Sequence, residues 1–211
     1  MKFNRHSSIG WFFGLTASLL LTFSSANAQI LRDAEIEQFL SDYSRPLFEA
    51  AGLPSESVGI HIIGDNALNA FVSNGLNVYV FTGLIVTADT PNQIEGVLAH
   101  ETGHMSGGHL ARSDEMIKAA TRPMMLSLVL GAAAIAAGAP DAGMSILSLG
   151  QTIGQSKFLT YSRGQESRSD QAAIGFLDEV GHSTRGLKEF FAKLRNQQLI
   201  SGYKANPYFQ T

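Results

Sequence analysis

In VLAHETGHMSGGHL, residues 97 to 110, three histidines and a glutamate fall within ten positions. His100 and His104 are four residues apart. On a helix that spacing places them about 40° apart around the axis and one turn apart along it, so both imidazoles can reach one ion. Glu101 lies about 100° from His100, beside such an ion but free of it, where a carboxylate can serve as a base. Ile94, Val97, Leu98 and Met105 share this side of the helix, so the polar set lies on an apolar stripe. Buried charges need partners. Zinc suits imidazole donors, and a catalytic zinc takes three protein ligands and keeps one position for water.

The third donor has to come from elsewhere. A histidine at 110 would complete H-E-x-x-H-x-x-G-x-x-H, but that position is Leu110. His109, after Gly107 and Gly108, reads as a helix-end residue or as a neighbour supporting a ligand, less well as a ligand. In YSRGQESRSDQAAIGFL, Glu166, Asp170, Ala173 and Leu177 lie within about 60° on a helix, so two carboxylates share its core-facing stripe. Glu166 is the stronger candidate for third ligand. Asp170 can accept the free N–H of a ligand histidine and fix its tautomer. The competing reading pairs Glu166 with Arg163 or Arg168 as a weak surface contact. A zinc ion there would bring the pKa of bound water to about 7 and leave its proton to Glu101. For an oxyanion stabiliser Tyr161, Arg163, His182 and Tyr208 stay open, and His182, after Gly181, reads equally well as a helix-end cation.

The elements that must position these residues are visible as periodicities. Asp33 to Ala51 carries Ile36, Phe39, Leu40, Tyr43, Leu47 and Phe48 at helical spacing, with Pro46 a possible kink. Val58 to Ile63 and Val78 to Phe81 read as strands, and Asn69-Ala70-Phe71-Val72 leads into the turn pair Asn74-Gly75. The expected fold class is α+β, mainly helical, with a small antiparallel sheet before the active helix. His61 falls on the wetter face of its strand. Thr90-Pro91-Asn92-Gln93 predicts a capping box at the start of the HETGH helix, and Gly107-Gly108 its end. Helices are also expected over 162–180 and 184–198. Between them and the motif, Pro123 to Gln155 is rich in Ala, Gly, Met and Leu. Its longest uncharged core, Leu126 to Ala139, has 14 residues and is short for a bilayer span. It reads as a buried helical hairpin, or as a lid or membrane-surface contact.

The chain's 211 residues, 45% of them hydrophobic and 16% charged, suit one globular domain. Lys2 and Arg5 precede an apolar run from Ile9 to Phe23 that ends in Ala26-Asn27-Ala28, the pattern of an export signal cut after Ala28. Residues 1–28 are then a signal peptide and 29–211 the working domain. What remains has 13 basic and 18 acidic side chains, a net charge of −5, which argues against nucleic acid as a partner. With no cysteine there is neither a disulfide nor an acceptor for a lipid anchor. A periplasmic location fits.

HETGH with His109-Leu110 behind it, YSRGQESRSD, NAF at 69 to 71 and VYVFTGL at 78 to 84 resemble the gluzincin zinc metallopeptidases related to HtpX and to the CAAX prenyl protease, most closely those of the periplasmic BepA type. The resemblance runs from about Asp33 onward. It implies His100, His104 and Glu166 as ligands of one zinc per chain, Glu101 as catalytic base and Asp170 in support. It also implies a peptidase for unfolded or misassembled envelope proteins, with the outer-membrane assembly machinery as a possible partner. The alternative is a chaperone-like assembly factor in which binding outweighs proteolysis. Substrate would add as an extended strand to the sheet edge, at Asn69, Ala70 and Phe71 or at Val78 to Phe81. Proteins of this type continue into a C-terminal helical-repeat (TPR) domain, and related peptidases carry a His-Pro step after a stretch like NPYFQT, whereas this sequence stops at Thr211.

Overall fold

The computed structural model describes residues 29–73 and 75–200; the expected export signal, Asn74 and Tyr208 lie outside the described residues. In chain order the elements are β1 (Gln29–Leu31), α1 (Ala34–Ala50), β2 (Gly59–Gly64), β3 (Ala70–Ser73), β4 (Asn77–Phe81), α2 (Thr82–Thr87), α3 (Pro91–Ser106), α4 (Ser113–Ala136), α5 (Pro140–Glu179) and α6 (Arg185–Ile200). The α+β class is as expected, with the strands ahead of the long helices. Asp33 caps α1, its carboxylate accepting from the Ile36 amide at 3.2 Å.

The sheet is mixed rather than antiparallel. Its order is β1-β2-β4-β3, and β2 and β4 run parallel while the two outer pairings are antiparallel. The hairpin of β3 and β4 forms where the turn pair predicts it, but β4 then inserts beside β2 instead of extending a meander. Val78 and Val80 of β4 and Ile60 of β2 pack with Leu40, Leu47 and Phe48 of α1 and Val97 and Leu98 of α3, and Ile62 of β2 is buried as well. His61 is on the opposite face, its Nε2 2.9 Å from Asn77 Oδ1 and its ring centroid 5.1 Å from that of Tyr79.

The capping box at Thr90 does not form. Pro91 opens α3, but the Thr90 side chain makes no capping bond, and Gln93 Oε1 accepts instead from the Asp89 amide at 3.1 Å and from Lys193 at 3.0 Å. Packing against α6 claims the glutamine that local sequence assigns to the cap. The end of α3 falls at Gly107, as read, with Gly108 in the left-handed region at φ 61°.

The largest departure is in α4 and α5. The helix expected from Ser162 is the second half of a single 40-residue α5, and Pro123 lies inside α4 without ending it. The segment 123–155 is a helical hairpin, but it is not buried: Met125, Leu126, Val129, Met144 and Leu149 are all more than half exposed. Nor is α4 limited to the 14-residue core, since the helix begins at Ser113 and by length and composition could cross a membrane.

Candidate active site

α3 packs against α5 and against α6 at one glycine-permitted contact each. A Cβ at Gly103 would lie 2.7 Å from the Ser169 carbonyl oxygen, and one at Gly96 would lie 2.5 Å from the backbone of Leu187 in α6. Atoms do not approach this closely without displacement, so a side chain at either position would push the helices apart. Gly103 is thus the residue that lets HETGH lie directly against SRSD.

That contact brings the candidate ligands together. His100 Nε2 and His104 Nε2 are 3.0 Å apart, and Glu166 Oε2 stands 3.5 Å from the first and 3.6 Å from the second. All three donors lie within 4.8 Å of one another. A tetrahedral ion with bonds of about 2.0–2.1 Å holds its donors roughly 3.3 Å apart, so the spacing matches what such an ion needs. His100 and Glu166 are 5% and 9% exposed, so the set is sheltered from water.

Each imidazole has a partner on its other nitrogen. His100 Nδ1 is 2.8 Å from Asp170 Oδ1, and neither atom has another partner among the described residues. His104 Nδ1 is 3.1 Å from Nδ1 of His109, which is itself 3.2 Å from Ser169 Oγ. The position after Gly108 therefore serves as a neighbour of a candidate ligand rather than a member of the set. Phe191 of α6 stands edge-on to His100 with centroids 5.3 Å apart.

The electrostatics follow from this crowding. Burial alone would depress the His100 pKa, but its contacts with Asp170 and Glu166 and the charge of Glu101 outweigh that and raise it to about 10. Burial pushes Glu166 up, and the two histidines more than reverse this, holding it near 2. Burial, with the charges of His104 and Arg168, lowers His109 to about 4. Glu101 moves the other way. Burial raises its pKa, and the neighbouring histidines and the Val72 amide only partly offset that.

Val72 is the residue that sequence reading misses. Phe81 donates to the Asn69 carbonyl at 3.1 Å and Phe71 pairs with Tyr79, so by strand alternation the backbone groups of Ala70 and Val72 face away from β4. From that outer side the Val72 amide faces the Glu101 carboxylate and favours its charged form. A backbone donor has no signature in a side-chain sequence, beyond the fact that NAFV reads as a strand. β3 is a sheet edge, whereas β4 lies between β2 and β3, which removes Val78 to Phe81 as an edge for added strands. Of the oxyanion candidates, Tyr161 donates to Glu115 at 3.4 Å, Arg163 is exposed, and His182 bonds through Nδ1 to the buried Glu95 of α3. Glu95 also accepts from Tyr43 at 3.3 Å and from Asn92 at 3.1 Å, so His182 closes a buried polar cluster.

A helix H-E-x-x-H with a glutamate from a second helix is a donor set of metallopeptidases, and residues 31–211 match peptidase family M48. The chain belongs to that family. It is 27% identical over 182 residues to a β-barrel assembly-enhancing protease of Yersinia pestis, covering 86% of this chain and 37% of that protein. It is 25% identical over 175 residues to the β-barrel assembly-enhancing protease of Escherichia coli K12, covering 83% and 36% respectively. Metalloprotease YcaL of Escherichia coli K12 is 28% identical over 198 residues, with 86% of this chain and 74% of that protein covered. The chain thus spans little more than a third of the assembly-enhancing proteases it matches. The resemblance read from HETGH and YSRGQESRSD agrees with these relatives, and so does the metallopeptidase class.

Proposed function

We propose that this M48 chain is an exported, periplasmic zinc endopeptidase that cleaves unfolded or misassembled envelope proteins, with one zinc on His100, His104 and Glu166. The observation that carries the reading is the convergence of those three donors beside a buried carboxylate, Glu101, that is not among them. A bound zinc supplies Lewis acidity, lowering the pKa of water toward 7 and polarising the scissile carbonyl.

The chain's own groups do the rest. Asp170 and a neutral His109 hold the outer nitrogens of His100 and His104, which leaves both Nε2 atoms directed at Glu166. Glu101 takes a proton from the attacking water and returns it to the leaving amine, and its raised pKa brings it toward the range in which both transfers are favourable. The open edge of β3 offers the backbone groups of Ala70, with Asn69 and Phe71 beside it, to an extended peptide. Only a chain with free backbone can pair there, which favours unfolded clients over folded ones. The names of the assembly-enhancing relatives support a client among outer-membrane proteins, and the basic, apolar start ending at Ala28 supports export.

Glu101→Gln tests the reading. We expect the purified variant to lose cleavage of an unfolded β-barrel protein by at least 100-fold while keeping its zinc. Unchanged cleavage would reject Glu101 as the base, and restored barrel assembly in cells by the inactive variant would favour the binding factor over the peptidase.

A further inference from the structure

Most large apolar residues of the α4–α5 hairpin are exposed, and small residues line the contact between the helices, where Leu147 lies over Gly131 and Ile135 over Gly143. At 100° per residue, Met124, Met125, Leu126, Leu128, Val129 and Leu130 cover about 240° of α4, and each is at least 40% exposed. Ser127 and Gly131 occupy the remaining arc and are buried against α5. Across from them, a Cβ at Gly143 would lie 2.6 Å from the Gly131 carbonyl oxygen, one at Gly150 would overlap the Ser127 side chain, and one at Gly154 would lie 2.7 Å from the Ala120 oxygen. Hairpins in water bury their leucines between the helices. Contact through glycine and serine with leucine outside is how helices associate where the solvent is hydrocarbon.

The polar groups are arranged in the same way. Between Arg122 and Lys157 the one charged residue is Asp141, at the tip. Three hydroxyls along the pair bond back to their own helix, Ser127 to Met124, Ser145 to Asp141 and Thr152 to Ser148, all at 2.8–2.9 Å, while Gln151 and Gln155 are exposed toward the base of α5. No water is needed to satisfy the three hydroxyls. Lys118, Arg122 and Lys157 stand exposed at the base, with Asp114 and Glu115 a turn further back. Sixteen residues from Pro123 to Gly138 at 1.5 Å each reach about 24 Å, most of a hydrocarbon core of about 30 Å.

We infer that this hairpin inserts into a phospholipid bilayer up to a collar formed by Lys118, Arg122 and Lys157, which sit on anionic headgroups, and that it holds the catalytic helices at the membrane surface. A groove on a protein partner would need a single apolar stripe, as amphipathic helices present, and α4 is apolar nearly all round. The basic collar selects anionic lipid. Because α5 runs without a break from Met144 to Glu166, insertion of its first half fixes the height of the active site above the bilayer.

The test uses the mature chain from Gln29 onward with phosphatidylcholine vesicles, with and without phosphatidylglycerol. The mature chain carries no tryptophan of its own, so Val129→Trp fluorescence should be quenched by lipids brominated on the acyl chain, and Val86→Trp, at an exposed position on α2, should not. Leu126→Glu with Val129→Glu should abolish co-flotation while zinc content stays unchanged. Replacing Lys118, Arg122 and Lys157 by Gln should weaken binding to the phosphatidylglycerol vesicles on the order of 100-fold and leave binding to phosphatidylcholine alone unaffected. The inference is overturned if Val129→Trp is unquenched or the double glutamate variant still floats. It is equally overturned if sedimentation without lipid shows a dimer that the glutamates dissolve, since a second copy would then cover α4.

Discussion

His100 Nδ1 stands 2.8 Å from Asp170 Oδ1, and neither atom has any other partner among the described residues. The contact joins α3 to α5 across seventy positions of sequence and leaves only Nε2 of His100 facing Glu166. Asp170→Asn keeps the shape but removes the charge that stabilises the N–H. We expect a 10–100-fold loss of zinc affinity with the fold intact, measured by competition with a chromophoric chelator. An affinity equal to that of the unmodified chain would remove Asp170 from the site.

Gly103 sets the distance between the two helices. Gly103→Ala places a methyl group 2.7 Å from the Ser169 carbonyl oxygen, and one helix has to move. The expected cost is about 1–3 kcal/mol in urea unfolding, with a loss of activity larger than the loss of stability explains. Gly175→Ala, on the open side of α5 with no atom within 4 Å of a Cβ, is the matched control and should be neutral or slightly stabilising.

Zinc uptake should release protons. In apoprotein prepared by chelation, His100 has its pKa raised to about 10, so near neutral pH it is an imidazolium that zinc must displace. The sign follows from the direction: the stabilisation from charged His100 is complete below its unfolded pKa near 6.5 and is lost as pH rises through about 10. Zinc affinity should therefore climb with pH across that window, whereas Glu166, held near 2, is already ionised and adds no dependence there. Calorimetry in buffers of different ionisation enthalpy should detect about one proton released per zinc. A buffer-independent heat would contradict this.

His182 has a structural task in this account. With Tyr43 and Asn92 it satisfies Glu95, which is 2% exposed, and so ties the α5–α6 turn to α3. His182→Ala should lower stability by about 1–3 kcal/mol in thermal or urea unfolding, because Glu95 loses a partner. Zinc content should not change. Loss of catalysis at full stability would instead make His182 a participant in the chemistry.

What was legible in the sequence is what rests on side-chain identity and local period. HETGH places its own imidazoles, and the Glu166–Leu177 stripe already points two carboxylates at the core, so the meeting of α3 and α5 needed only their two faces. The capping box failed because Gln93 is pulled toward Lys193, a contact that no local rule contains. The parallel pairing of β2 and β4 and the Val72 amide on Glu101 arise from backbone topology, which alternation of residues does not encode. Between the two readings of 123–155, buried hairpin or lid and membrane-surface contact, the sequence does not choose, because an Ala, Gly and Leu-rich pattern looks the same whether protein or lipid surrounds it.

One ion held jointly by α3 and α5 requires donors from both helices. Elemental analysis of purified wild-type chain beside Glu166→Ala measures this most directly. We expect close to one zinc per wild-type chain and little or none in the variant, with circular dichroism unchanged. Full zinc occupancy in Glu166→Ala would contradict it.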